Sequence, residues 1–400
     1  MNLTTDFLII GGGVIGINLA LEAKRRYPGH NVTLIEKEQK TGMHASGRNS
    51  GVLHAGFYYT ADSLKAQLTR NGNQLLTDYC EQRKIRINRC GKLVVAQKEN
   101  ELAGLKELIN RAKNNNVELH EISEKEAKEI EPRIKTFKNA LFSPTTSSVD
   151  PQEVMNAFSQ DAEQAGVKIL NDTKYIYHTQ KQIVTSNGTI SAGYAINAAG
   201  LYADTVARDF GFSQDYRILP FKGLYLYNNH KPTPLSTHVY PVPNLGNPFL
   251  GVHHTVTVNG SSKIGPTAIP CFWREHYKGL DNFSIKEFSE VVLRELGLFI
   301  RNDFEFRKLA WEELQKYYRP RIVHLASKLL SGVRKEHYTK WGKPGIRAQL
   351  YDLKNRKLEM DFKYEGDKQS FHILNAVSPA FTCSISFSKY VFQKIEELLH

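Results

Sequence analysis

Four hundred residues, 41% hydrophobic and 24% charged, are enough for two or three ordinary domains and exclude a disordered or low-complexity chain. No stretch approaches ~18 uninterrupted apolar residues, which excludes a transmembrane helix. The scattered cysteines Cys80, Cys90, Cys271 and Cys383 form neither a disulfide framework nor a Cys-x-x-Cys metal site, and suit a reducing cytoplasm. The net charge of +12 allows attraction to anionic lipid, nucleic acid or acidic metabolites, but the basic residues are dispersed with no block of five, as on solvated faces.

In chain order, the apolar run Phe7-Leu8-Ile9-Ile10 predicts a buried strand entering Gly11-Gly12-Gly13-Val14-Ile15-Gly16, and the strand Asn31–Ile35 ends on Glu36. This is a complete βαβ dinucleotide fingerprint. Gly11 permits the turn, Gly13 the approach of a pyrophosphate and Gly16 close helix packing, while a carboxylate at Glu36 accepts ribose hydroxyls and disfavours a 2′-phosphate. FAD or NAD is therefore expected rather than NADP. A signal peptide is not expected, because the three glycines that interrupt this apolar segment already serve the nucleotide turn.

The glycine- and serine-rich segment Thr41–Tyr59 is long for a connection and reads as functional. Helical periodicity follows over Ser63–Arg83, a strand over Gly91–Ala96 and an amphipathic helix over Glu99–Asn115. Asp150-Pro151 marks a helix start running to about Ala165. Strands are predicted at Val167–Leu170, Gln182–Thr185 and Tyr194–Asn197, the last running into Ala198-Ala199-Gly200. The region from Ile218 to Gly265 is rich in proline, aromatic and β-branched residues, as in an inserted antiparallel domain. A helix at Ser284–Arg301, a strand at Phe371–Leu374 and a helix at Cys383–Leu399 complete the reading. It gives an α/β fold: a discontinuous Rossmann-like nucleotide domain of residues 1–85, 140–215 and 340–400, with an inserted α+β substrate domain of residues 86–139 and 216–339 built on an antiparallel sheet.

The run Ala45–Gly56 resembles the flavin-contacting loop of the D-amino-acid-oxidase-like superfamily, whose FAD domains are of glutathione-reductase type. Within that superfamily the chain resembles the L-2-hydroxyglutarate dehydrogenase (oxidase) family. The resemblance is carried by Asn49–Tyr59, Ser63–Gln67, Cys90-Gly91-Lys92-Leu93, Tyr240–Pro243, Pro248–His253, Gly345–Gln349 and Asn375–Ala380. It implies FAD on Gly11, Gly13, Val14, Ile15 and Gly16, with Glu36 and Lys37 at the adenosine and Ser46, Asn49, Ser50 and Gly51 on the isoalloxazine side. Tyr175, Ala198, Gly200, Arg347, Ala380, Phe381 and Thr382 complete the implied cofactor set. Arg48, Lys222, Thr267 and Phe381 depart from the family's usual histidine, arginine, asparagine and alanine, and Lys222 keeps a charge without the bidentate fork.

The implied reaction oxidises a 2-hydroxy acid, with hydride leaving the α-carbon and a base taking the hydroxyl proton. His54 is the first candidate, as base or positioner, as a structural histidine under the flavin or as a covalent flavin attachment point. His253 is a second candidate base or an ordinary strand residue. Lys222, Arg274 and Arg347 are candidate clamps for a dicarboxylate, against ion-pair or surface roles, and Tyr240 either binds a carboxylate or packs. Reduced FAD would pass electrons to a quinone or to oxygen. Peripheral attachment to an anionic membrane on its cytoplasmic side is compatible with the charge. The competing readings are an amine oxidase of the glycine or sarcosine type, a tRNA-modifying flavoenzyme and a flavin-binding scaffold. No basic and aromatic stripe supports nucleic-acid binding.

Overall fold

In the computed structural model, which describes residues 2–179, 182–229, 235–244 and 249–400, Phe7, Leu8, Ile9 and Ile10 are buried because their strand lies inside a parallel sheet covered by helices. The chain divides into two units: residues 1–49, 151–220 and 347–400, and residues 50–150 and 221–346.

The first unit is built on five parallel strands in the order Ser370–Asn375, Gly188–Asn197, Asn2–Ile10, Val32–Ile35 and Lys168–Leu170. Lys363–Gly366 adds an antiparallel edge. Helix Val14–Arg26 packs against helices Pro151–Gln164 and Ser384–Leu399. Arg26 pairs with Glu396, and the Phe7 ring meets Phe392 edge-on at 5.9 Å. The C-terminal helix therefore returns to the nucleotide fold, as its apolar period predicts.

The second unit contains an eight-stranded sheet in the order Tyr338–Trp341, Leu226–Asn228, Ser262–Gly265, His253–Val256, His238–Pro241, Lys92–Val95, Asn139–Ser143 and His120–Ser123. It is built antiparallel, as predicted, except at one pair of strands. Lys92–Val95 and His238–Pro241 run parallel, with Lys92 opposite His238 and Val94 opposite Tyr240. These strands come from separate segments of the chain, so no hairpin forces them to alternate.

The unit boundaries also differ from those read in the sequence, because residues 50–85 and 140–150 belong to the second unit. Val52-Leu53 pairs with Ser147-Ser148 and the Val149 N–H donates to the Gly51 carbonyl, which ties the glycine-rich loop to this unit. Helix Leu64–Gln82 follows, capped by Ser63, whose hydroxyl accepts from the Ala66 N–H at 3.1 Å.

Candidate active site

In the first unit the strand ends converge on one edge of the sheet. Gly11 N–H donates to Ile35 O, Ala198 N–H to Ile10 O and Glu36 N–H to Leu170 O, each at 2.9 Å. Gly11 has φ +111°, and a Cβ there would meet Ala198 O at 2.6 Å; one at Gly16 would meet Gly11 O at 1.9 Å. Only glycine fits this turn and helix contact. Glu36 accepts from Gly12 N–H at 2.7 Å and from Glu38 N–H at 2.9 Å, which aims its carboxylate back over the turn.

Helix Val14–Arg26 has no acidic residue in its first turn, and its N-cap Gly13 offers no side chain. Ser46 instead accepts from the Val14 N–H at 2.9 Å. Helix Ser384–Leu399 likewise starts without a side-chain cap or first-turn acid, just after Ala380, Phe381 and Thr382. Two helix N-termini of this unit thus keep their positive ends for an anionic ligand. Such a turn, carboxylate and pair of helix ends fit a dinucleotide.

Ala198 and Gly200 lie in the turn after strand Gly188–Asn197, shaped by Asn197, whose side chain accepts from Ala199 N–H and donates to Ala203 O. Asn49 donates to Ser46 O at 2.7 Å, so these two loop residues brace each other. Arg48 is spent on Met43 O at 2.7 Å. Lys37 pairs with Glu38, which also meets His44 at 2.8 Å. Tyr175 is set differently, its hydroxyl bonded to Asp209. Thr173, which the sequence did not single out, instead donates its N–H to Glu36 O at 2.7 Å. Arg347 opens the third segment of this unit, in strand Gly345–Asp352.

The second unit carries two of the catalytic candidates, His253 and Tyr240, on one face of its eight-stranded sheet. Strand alternation puts Leu93, Val95, Val239, His254, Val256 and Ile264 on one side and Lys92, His238, Tyr240, His253, Thr255 and Lys263 on the other. The first side is the apolar core. The second is polar and yet almost wholly buried. A polar sheet face normally meets water, so a buried one signals a site.

Lys92 stands at its centre. Its ammonium has no hydrogen-bond partner among the described residues and lies 4.5, 5.2 and 5.5 Å from the ring centres of Tyr240, Tyr58 and Phe57. Burial brings its pKa down to about 7. Cation–π attraction is the compensation this cage offers.

The histidines around it are all neutral. Burial, then the charges of Lys92 and His238, hold His54 well below its ordinary value. His238 is brought to about 3 by burial and Lys92; its Nδ1 accepts from Val256 N–H at 3.0 Å, so the proton sits on Nε2, facing Ser148 at 3.3 Å and Cys90 Sγ at 3.4 Å. His253 is depressed chiefly by burial, stacks on Tyr240 with centroids 3.7 Å apart, and donates from Nδ1 to Gly251 O at 2.8 Å. Its Nε2 therefore carries the free lone pair. His254, on the opposite face, donates from Nε2 to Ala326 O at 3.0 Å and is structural. Tyr240 is fully buried against Lys92 and His253, which makes it a wall of the site as much as a ligand group.

Lys263 completes this face. Its ammonium donates to Ser50 O at 3.0 Å beside the Tyr225 ring, and burial brings its pKa to about 8. Two further cations are buried in this unit, Lys222, 4% exposed, and Arg274, 2% exposed. Burial lowers the Lys222 pKa and, with the Lys222 charge, takes His276 to about 4. Thr267 donates to the Lys222 carbonyl at 2.8 Å and accepts from Leu224 N–H, so this departure from the family pattern braces the strand that carries Lys222. Lys92, His238 and Lys263 were missed as site residues. Pro248, at the head of the Pro248–His253 motif, lies outside the described residues.

A family model described as FAD dependent oxidoreductase matches residues 6–390. The chain is 34% identical to the mitochondrial L-2-hydroxyglutarate dehydrogenase of Nematostella vectensis, covering 98% of this chain and 90% of the relative. It is 32% identical to the L-2-hydroxyglutarate dehydrogenase of Escherichia coli strain K12, covering 98% and 94%. Among solved structures, the reduced L-α-glycerophosphate oxidase from Mycoplasma pneumoniae with FAD bound superposes with a TM-score of 0.78 at 21% identity, over 98% of this chain and 95% of that one. Glycine oxidase from Geobacillus kaustophilus gives 0.74 at 20% identity, over 99% and 95%. At such identities these two speak for the fold alone.

Proposed function

Because the chain belongs to the FAD dependent oxidoreductase family and, within it, to the L-2-hydroxyglutarate dehydrogenases, we propose that it oxidises L-2-hydroxyglutarate, or a closely similar 2-hydroxy acid, to the 2-oxo acid. The observation that carries this reading is the buried polar sheet face, where neutral His54 and His253 stand beside the caged Lys92. FAD, when bound, would supply the acceptor for the hydride of the α-carbon. Gly11, Gly13, Val14, Ile15 and Gly16 would hold its pyrophosphate, Glu36 and Lys37 its adenosine side, Ser46, Asn49, Ser50 and Gly51 its flavin side, and the backbone at Ala380–Thr382 the flavin pyrimidine.

His253 Nε2 takes the hydroxyl proton, because Gly251 fixes the other ring nitrogen as the donor. His54 orients the hydroxyl. Lys222, Arg274 and Arg347 bind the carboxylates. Replacing Lys222 with methionine is expected to raise KM for the dicarboxylate by about 10- to 100-fold, the range for a lost charged hydrogen bond, with arginine restoring most of it. Steady-state kinetics with a redox dye reads both.

A base must be unprotonated to act. His54 and His253 are both depressed, so kcat/KM is expected to stay level as pH falls through 6.5, the ordinary imidazole value, and to drop only below it. A pH–rate profile checks this. The deciding experiment for the reaction is anaerobic mixing with L- and D-2-hydroxyglutarate while flavin absorbance is followed. Bleaching by the L enantiomer is expected; bleaching by glycine or sarcosine instead would make this an amine oxidase.

The electrons then pass to a quinone or to oxygen. For the quinone route the protein works in the cytoplasm, docked on the anionic face of the membrane. The net charge of +12 favours such docking, and no helix among the described residues is long and apolar enough to cross a bilayer.

A further inference from the structure

Of eighteen large hydrophobic side chains exposed among the described residues, twelve lie between Phe272 and Tyr318, so the exposed apolar surface is concentrated rather than scattered. Helix Ile285–Arg301 is its centre. Only Val291 and Leu298 of this seventeen-residue helix are buried. At 3.6 residues per turn, Ile285, Val292, Leu293, Leu296, Phe299 and Ile300 fall within an arc of roughly 120° on the side away from Val291 and Leu298. Ile285, Leu293 and Ile300 are 69%, 68% and 64% exposed. The amphipathic helix thus turns its apolar face outward.

The next helix, Phe306–Leu314, packs against it and adds Trp311, 67% exposed, with Tyr317 and Tyr318 just beyond. Arg307 joins the two helices by donating to Phe299 O at 2.6 Å and Ile300 O at 2.7 Å while its guanidinium lies over the Phe299 ring. Within residues 278–321, which carry this surface, Lys278, Lys286, Arg301, Arg307, Lys308 and Arg321 are exposed, against the exposed acids Asp281, Glu305 and Glu312. Aliphatic residues in the centre, tryptophan and tyrosine beside them and a cationic surplus at the rim match the layered chemistry of an anionic bilayer surface.

We propose that the outward face of helix Ile285–Arg301, extended by Trp311, Tyr317 and Tyr318, is the surface by which the protein seats on an anionic lipid membrane. This rests on the membrane docking proposed above and names the part of the chain that performs it. The apolar arc enters the headgroup boundary, the basic rim meets lipid phosphates, and the helix lies in the plane of the interface.

The test uses the FAD-loaded full chain, vesicles of phosphatidylcholine with and without phosphatidylglycerol, and the double variant Leu296→Glu, Phe299→Glu. Wild type is expected to float with the anionic vesicles, and the variant's bound fraction to fall at least about ten-fold, while its dye-linked turnover and circular dichroism stay unchanged. Brominated lipid is expected to quench wild-type tryptophan emission and to lose that effect in Trp311→Phe, a readout independent of the double variant's folding. Undiminished flotation of the double variant, or quenching that survives in Trp311→Phe, would overturn this assignment and leave membrane docking to another surface. No flotation of wild type with either vesicle would overturn docking itself. A wild-type dimer in light scattering that the double variant splits would make the face a contact between copies and also overturn the assignment.

Discussion

Replacing His253 with alanine is expected to slow anaerobic flavin reduction by L-2-hydroxyglutarate by roughly 10²- to 10⁴-fold, the usual worth of a positioned proton acceptor, with a much smaller change in KM. The Gly251 carbonyl holds the Nδ1 proton and leaves Nε2 basic, and burial keeps the ring neutral. Alanine also removes the ring stacked on Tyr240, so a second variant separates chemistry from packing. Asparagine at 253 can still donate to Gly251 O but offers an amide oxygen in place of a basic nitrogen. The same loss in both variants is expected if basicity is what matters, whereas recovery in His253→Asn would reduce His253 to a positioning role. His54→Ala is expected to lose roughly 10²-fold. A larger loss there than at His253 would transfer the proton to His54.

The nucleotide half of the protein was legible because its determinants are close in the chain. Gly11, Gly16 and Glu36 sit within a single βαβ unit, and their jobs follow from backbone clearance and charge. The catalytic face was not legible in the same way. Lys92, His238, His253 and Lys263 come from four strands, the first of them far before the other three in the chain, and each strand alone resembles an ordinary half-exposed one. The available signal was the period-two placement of histidine, tyrosine and lysine in strands whose neighbours are strongly apolar, but only the pairing shows that both faces are buried. The division of the glycine-rich loop was hidden for a similar reason. Nothing between Asn49 and Ser50 marks a boundary, and the loop's attachment is set by pairing of Val52-Leu53 with Ser147-Ser148, almost a hundred residues away. Helix Phe306–Leu314 escaped prediction because the chain enters it through Asn302, Phe304 and Glu305, all at positive φ, where no glycine announces the break.

Lys92→Met should make the protein more stable and a poorer catalyst. An amine whose pKa falls to about 7 on folding, from about 10.5 when unfolded, binds fewer protons in the native state between those values. Its ionisation therefore opposes folding most strongly below about pH 7, and the opposition fades as pH rises toward 10.5. Methionine fills similar space without a charge, so it is expected to stabilise the protein by up to roughly 5 kcal/mol at pH 6 and by under about 1 kcal/mol near pH 10, less whatever the aromatic cage contributes through cation–π attraction. Thermal melts across that range read the difference; a gain equal at both ends would mean that folding leaves the proton affinity of Lys92 unchanged. The functional effect has the opposite sign. The Lys92 charge is among the causes that depress His54, His238 and His253. Without it their affinity for protons rises, so the acid limb of the pH–rate profile is expected to move upward and activity at pH 6 to fall more than activity at pH 8. A destabilising ammonium retained among three aromatic rings would then be explained by what it does to its neighbours: its charge adds to burial in keeping the surrounding imidazoles unprotonated, as the proposed proton transfer requires.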